Sequence, residues 1–216
     1  MWRAGIGAAA VIGGAHLTAR YTRRPGVAGL LKAIPIALLA GMVAAEPAVV
    51  SERYRWLVFV GLLWSLGGDV CLVFPGGFVP GLASFLIAHV LYIAAFVPDA
   101  APDGRAWLVL VPFAGGGLGM LAYLWRHLGK DRVPVLVYVA VIVVMGWRAA
   151  ARAMAPGVPE PSGTLALVGA TLFMVSDGVL AIDRFARRFE AADGVVMTTY
   201  YAAQVLIALS VARHPW

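Results

Sequence analysis

One cysteine, Cys71, stands among 216 residues, which excludes an intrachain disulfide and any cysteine-built metal cluster. Charge is nearly as scarce. Charged residues make up 13% of the chain, where a soluble domain carries about 25%, and only 11 are acidic. No hydrophilic stretch is long enough to build a second domain. There is no His-Glu-x-x-His, no Gly-x-Ser-x-Gly elbow and no His–Cys ligand spacing, so hydrolysis by bound zinc or a serine triad is disfavoured. The run Gly115–Gly116–Gly117 with Gly119 has no Lys-Ser/Thr after it and lies in apolar sequence. It is therefore no phosphate loop, and it reads as helix packing. Neither a metal nor a cofactor is expected.

What fills the chain is apolar: 62% of residues are hydrophobic, and the mean hydropathy is +0.86. A water-facing surface of this size cannot hide that excess, so lipid covers much of the outside. The expected fold is all-α, a polytopic membrane protein with about eight transmembrane helices in one bundle. Apolar runs between Pro, Gly and charged breaks place the spans at 4–19, 27–44, 56–74, 80–97, 106–125, 134–151, 163–182 and 194–211. The first follows only Met1–Trp2–Arg3 and reads as a retained helix, not a removed signal peptide. Residues 1–216 are expected to form one helical domain. Asp69–Val70–Cys71–Leu72 echoes Asp177–Gly178–Val179–Leu180, with Tyr92 and Tyr200 at matching offsets, as a four-plus-four repeat or as chance in low-diversity sequence.

The net charge of +6 is no nucleic-acid signal, because the basic residues sit in short loops between spans. Arg20, Arg23 and Arg24, then Arg126, Lys130 and Arg132, then Arg184, Arg187 and Arg188 cluster on one side. That placement suits topology signals and anionic headgroups. It puts the clustered side in the cytoplasm and both termini outside, in a multi-pass protein of the cell membrane.

Against this background a few polar residues lie at membrane depth, where a charge costs roughly 2.5–3.5 kcal/mol to insert. Asp69 and Asp177 each fall about five residues before the end of a span, and those two spans run in the same direction. Both reach roughly 8 Å below the clustered-charge side at 1.5 Å per residue. Lys32, Tyr138 and Tyr201 share that layer, and His89, Tyr92 and Gln204 lie slightly deeper. Each has a structural alternative: a snorkelling lysine, interhelical hydrogen bonds or an aromatic belt. Gly67–Gly68 before Asp69, and Ser176 and Gly178 around Asp177, permit close approach of a helix or a ligand.

Ser65–Leu66–Gly67–Gly68–Asp69, followed by Leu72, Phe78, Gly81–Leu82, Phe85, His89 and Tyr92, resembles the signature of the YhhN / TMEM86 family, the lysoplasmalogenases. Gly169–Ala170, Leu172–Phe173, Ser176–Asp177, Leu180–Ala181 and Phe185 look like that family's second block. Tyr200, Tyr201 and Gln204 are similar to its last helix. Lys32 with Pro35 fits its early Lys-Pro element, although the two are not adjacent here. The resemblance implies an eight-helix hydrolase that cleaves the vinyl ether bond of lysoplasmalogens to a fatty aldehyde and glycerophosphoethanolamine or glycerophosphocholine. It carries Asp69 and Asp177 over as the catalytic pair. Lys32, Ser65, His89, Tyr92, Tyr138, Ser176, Tyr201 and Gln204 are candidates for binding or orienting the substrate. The partners implied are a lysophospholipid and membrane lipid.

Vinyl ethers hydrolyse by protonation at carbon to an oxocarbenium ion, which water captures; the hemiacetal then collapses. Two facing carboxyl groups can divide the roles of acid and charge stabiliser, as in glycosidases. Rival readings are a proton-coupled or small-molecule transporter, since intramembrane Asp, Lys and His also mark ion pathways, and a non-catalytic lipid-binding scaffold.

Overall fold

The computed structural model describes residues 25–97 and 104–214, together with Gly7 and Gly14. Seven α-helices follow one another there: α1 (Pro25–Ala45), α2 (Glu52–Val73), α3 (Phe78–Ala95), α4 (Leu110–Leu124), α5 (Arg132–Ala153), α6 (Ser162–Ala181) and α7 (Ala192–Leu209). They correspond one to one with the last seven expected spans; the first, 4–19, lies outside the described residues apart from Gly7 and Gly14. Among the described residues, six helical segments are long and apolar enough to cross a bilayer, and the chain is an all-α, multi-pass membrane protein. Among the described residues the one extended pairing is an isolated bridge between Val49 and Ala212, which ties the α1–α2 loop to the end of α7.

Local signals set the ends. Ser51 caps α2, its hydroxyl accepting from the Tyr54 amide at 3.1 Å. Gly76 takes φ of +79° in the Pro75–Gly76–Gly77 turn, a conformation open to glycine. Beyond α6 the chain widens into a π turn, Ile182–Ala186, closed by the Arg187 amide on the Ile182 carbonyl. Single π turns are frequent at functional sites.

The packing order is not the chain order. α1 packs on α2, α2 on α3, α3 on α5, α5 on α6, α6 on α7, and α7 returns to α1. These six helices form a closed ring, while α4 lies outside it against α5. Lipid offers no hydrophobic drive between helices, so close approach depends on small residues. Gly61 and Gly68 of α2 are covered by the rings of Tyr92 and Phe85 from α3, and Gly169 of α6 rests on the backbone of Ala203 and on Ile207 of α7.

The run Gly115 to Gly119 departs from its expected packing role. Gly117 alone is in tight contact, with Val143; Gly115 and Gly119 have nothing within 4 Å, and Gly116 meets only Met174. Gly115 and Gly119 are exposed, whereas Gly116 and Gly117 border a space between α4 and the ring.

At the end away from the basic clusters, Arg152 is buried and donates to Ser162 Oγ at 2.9 Å, with its guanidinium 4.1 Å over the Tyr54 ring. Tyr54 bonds Ser210 at 2.7 Å, and Ser162 donates to the Ser210 carbonyl. This polar knot pins α2, α5, α6 and the end of α7.

A side chain added at Gly169 meets backbone that cannot yield, whereas one at Gly115 enters open space. Gly169→Val should lower stability by about 1–3 kcal/mol and Gly115→Val should change it little, as read by thermal unfolding in detergent. Equal effects would contradict the close α6–α7 contact.

Candidate active site

The polar residues of the expected layer fall into two groups. The first is inside the ring. Asp69 on α2 is 1% exposed; Lys32 Nζ from α1 stands 3.1 Å from its Oδ1, and the Tyr200 hydroxyl from α7 donates to Oδ2 at 2.7 Å. Three helices therefore close on one carboxyl group. Pro35 interrupts the α1 hydrogen-bond ladder, and the Tyr201 hydroxyl donates to the Lys32 carbonyl there at 3.2 Å. One turn deeper, Tyr92 donates to Gln204 Oε1 at 2.8 Å, with Ser65 buried beside it.

The second group centres on Asp177 of α6. The Tyr138 hydroxyl from α5 donates to its Oδ2 at 2.6 Å, and His89 Nε2 from α3 lies 3.7 Å from the same oxygen. His89 is fully buried, edge-on to Tyr138 and Phe173, and neither ring nitrogen has a hydrogen-bond partner among the described residues. A contact of 3.7 Å is too long for a hydrogen bond. Such contacts are often long in an empty site and tighten when it fills.

The two carboxyl groups differ in access. A cavity of about 560 Å³ opens between α4, α5, α6 and the start of α3. Its walls are almost wholly apolar, with Asp177, Tyr138 and Thr171 supplying polar atoms. Glycines make the room: Gly116, Gly117 and Gly178 all face it. Asp69, Lys32, Tyr200 and His89 are not among its lining residues. The route from one acid to the other runs through edge-on rings, Tyr200 to Phe173 at 5.4 Å and Phe173 to His89 at 4.6 Å. The expectation that both aspartates face one substrate in one pocket is thus revised by the geometry. Asp177 lines the cavity, whereas Asp69 is buried away from it inside the ring.

The remaining candidates separate accordingly. Tyr138 and His89 attend Asp177; Lys32 and Tyr201 attend Asp69; Ser65, Tyr92 and Gln204 form the polar step beneath it. Ser176 points away from the cavity and donates to the Val196 carbonyl at 3.0 Å, joining α6 to α7. Tyr200 was not among the orienting candidates, although it holds Asp69 directly. Its shared offset with Tyr92 was the available signal, yet the two tyrosines act differently, one on Asp69 and one on Gln204.

The Lys32–Asp69 pair is a buried ion pair whose partners each become costly when left alone. Asp69→Asn and Lys32→Met should each lower stability by about 3–5 kcal/mol, and the double variant should lose much less than the sum. Additive losses in a double-mutant cycle on the detergent-solubilised protein would contradict the coupling.

The YhhN family model matches residues 27–211. Human lysoplasmalogenase TMEM86B is 40% identical over 189 residues, covering 87% of this chain and 76% of that one. Bovine lysoplasmalogenase TMEM86A is 38% identical over 191 residues, covering 85% and 78%. A lysoplasmalogenase from Mycobacterium bovis is 34% identical over 202 residues, covering 90% and 72%. No solved structure matches. With the family model spanning all seven described helices and relatives this similar over most of their length, the chain belongs to the YhhN family.

Proposed function

We propose that this protein hydrolyses the vinyl ether bond of lysoplasmalogens in the cell membrane, with Asp177 as the acid–base group at the reacting carbon. The products are a fatty aldehyde and glycerophosphoethanolamine or glycerophosphocholine. The names of its relatives support the reaction. The observation that carries the assignment to Asp177 is the cavity: an apolar slot with one carboxyl group in its wall.

The slot suits the substrate's shape. From Asp177 it extends inward along Met174 and Thr171 towards Phe113 and Pro112 of α4, an apolar path for an alkenyl chain. In the other direction it reaches Phe78, Ile182 and Phe185 at the basic-cluster end, where headgroups lie. Asp177 stands between these regions, as does the vinyl ether of a lysolipid.

The chemistry needs one proton delivered to carbon and one removed from water. Protonated Asp177 gives its proton to the vinyl carbon remote from the ether oxygen, leaving a carboxylate beside the oxocarbenium ion. Water adds to that cation and yields its proton to Asp177, which restores the acid. The hemiacetal then transfers its hydroxyl proton to the glycerol oxygen as the carbon–oxygen bond breaks, releasing the aldehyde. Tyr138 holds Oδ2 through the 2.6 Å hydrogen bond, so Oδ1 is the oxygen left to work on the substrate. His89 backs the same oxygen and fixes the carboxyl plane once their 3.7 Å gap closes. Asp69, buried and outside the cavity lining, serves as a positioning residue that clamps α1, α2 and α7.

Asp177→Asn should abolish aldehyde release from a vinyl-ether lysolipid while thermal unfolding stays near wild type, and Tyr138→Phe should slow release by about tenfold or more. Substantial turnover in folded Asp177→Asn removes Asp177 from the acid–base role. Gly116→Leu adds volume inside the slot where only Met174 is near. It should shift preference towards shorter alkenyl chains, and an unchanged chain-length profile would argue against the slot as the chain site.

A further inference from the structure

We propose that Arg184 forms a phosphate subsite at the mouth of the cavity and recognises the phosphodiester of a lysophospholipid headgroup. The inference rests on the reading of the cavity as the lysolipid site. Arg184 lies in the π turn beyond α6, seven residues after Asp177 and at the basic-cluster end. It is exposed, and its guanidinium sits 4.5 Å over the ring of Phe78, a cavity-lining residue that also meets Phe185 edge-on at 6.0 Å. The guanidinium is therefore held against the rim of the slot.

Its charge is unclaimed among the described residues, where no carboxylate forms an ion pair with it. The neighbouring Asp183 is turned inward, accepting from the Phe189 amide at 3.2 Å. A guanidinium lying over a ring still presents its N–H edge, and that fork matches two oxygens of a phosphate.

Spacing supports the match. Seven residues of helix span roughly 10 Å. In a lysoplasmalogen the phosphorus is a few single bonds from the ether oxygen, about 6 Å when extended, and an arginine side chain spans the remainder. With the phosphate on Arg184 and the chain in the slot, the vinyl ether lies beside Asp177. A slot with no anchor at its mouth would let the chain slide along its axis, and the phosphate contact fixes that register. The same contact selects a phospholipid over a neutral alkenylglycerol, which has the same scissile bond.

The test measures binding to the full-length chain in nonionic detergent, using a non-hydrolysable 1-alkyl-glycerophosphocholine and the phosphate-free 1-alkylglycerol. Arg184→Gln should weaken the phospholipid about tenfold and leave the alkylglycerol unchanged; Arg184→Lys should recover part of the loss. Arg188→Gln, a neighbouring cation without a ring contact at the cavity, should alter neither. Equal losses for both lipids, or the same selective loss in Arg188→Gln, overturn the assignment. Displacement of the phospholipid by millimolar inorganic phosphate would reveal a free-anion site and overturn the lipid assignment. If wild-type protein releases no aldehyde from a vinyl-ether lysolipid yet shows this binding pattern, the hydrolase reading fails and the phosphate subsite stands.

Discussion

Hydrocarbon offers polar groups no partner, and the arrangement of this protein depends on how Lys32, Asp69 and Tyr200 answer that constraint. A buried carboxylate held by an ammonium at 3.1 Å and a phenol at 2.7 Å fixes the angular settings of three helices at once. The pair need not add net stability over an apolar core. Its consequence is specificity, because α1, α2 and α7 have one rotation in which all three groups are satisfied. The ring closes around that point, with the tyrosine–glutamine step below it and the Arg152 knot at the far end.

A closed ring leaves one helix over. α4 has little buried surface and packs chiefly on α5, meeting α6 through Met174 and Met120, so the seam along it is where a cavity can exist without opening the core. Asp177 belongs to the ring by its backbone and to the seam by its side chain. Its phenol and imidazole neighbours come from the ring, while its open side faces the glycine-rich surface of α4. The packed ring thus supports a carboxyl group that lines the seam cavity. Under the proposed reaction, that support by packed neighbours is what would hold the carboxyl group in a fixed geometry.

Much of this architecture was legible in the residues. Spans two to eight could be placed because apolar runs of bilayer length are bounded by Pro, Gly and charge, and all seven correspond to helices. An expected height for Asp69 and Asp177 also comes from the sequence, since 1.5 Å per residue converts a position in the chain into a height. Height is not azimuth. Whether two acids at one level face each other depends on helix rotation and on which helices adjoin, and neither is encoded in the spacing of one helix. For that reason the expectation of facing carboxyl groups gave way to one acid lining the cavity and one buried away from it inside the ring. Tyr200 is given no orienting role from sequence for a related reason: a tyrosine near a membrane surface has many ordinary explanations, and only its partner distinguishes it. The glycines of α4 read as packing because small residues in membranes usually pack; Gly117 does so against Val143, while Gly115 and Gly119 are exposed and Gly116 borders the cavity.

The central claim is that the lysolipid occupies the seam beside Asp177, and photo-crosslinking tests it most directly. A non-hydrolysable ether lysolipid with a diazirine midway along its chain is bound, irradiated and mapped by peptide mass spectrometry. Adducts on Met174, Met120 and Ile142, all in the cavity wall, are the predicted result. Adducts confined to outward-facing residues such as Val111 and Leu118, each about two-thirds exposed, would contradict it.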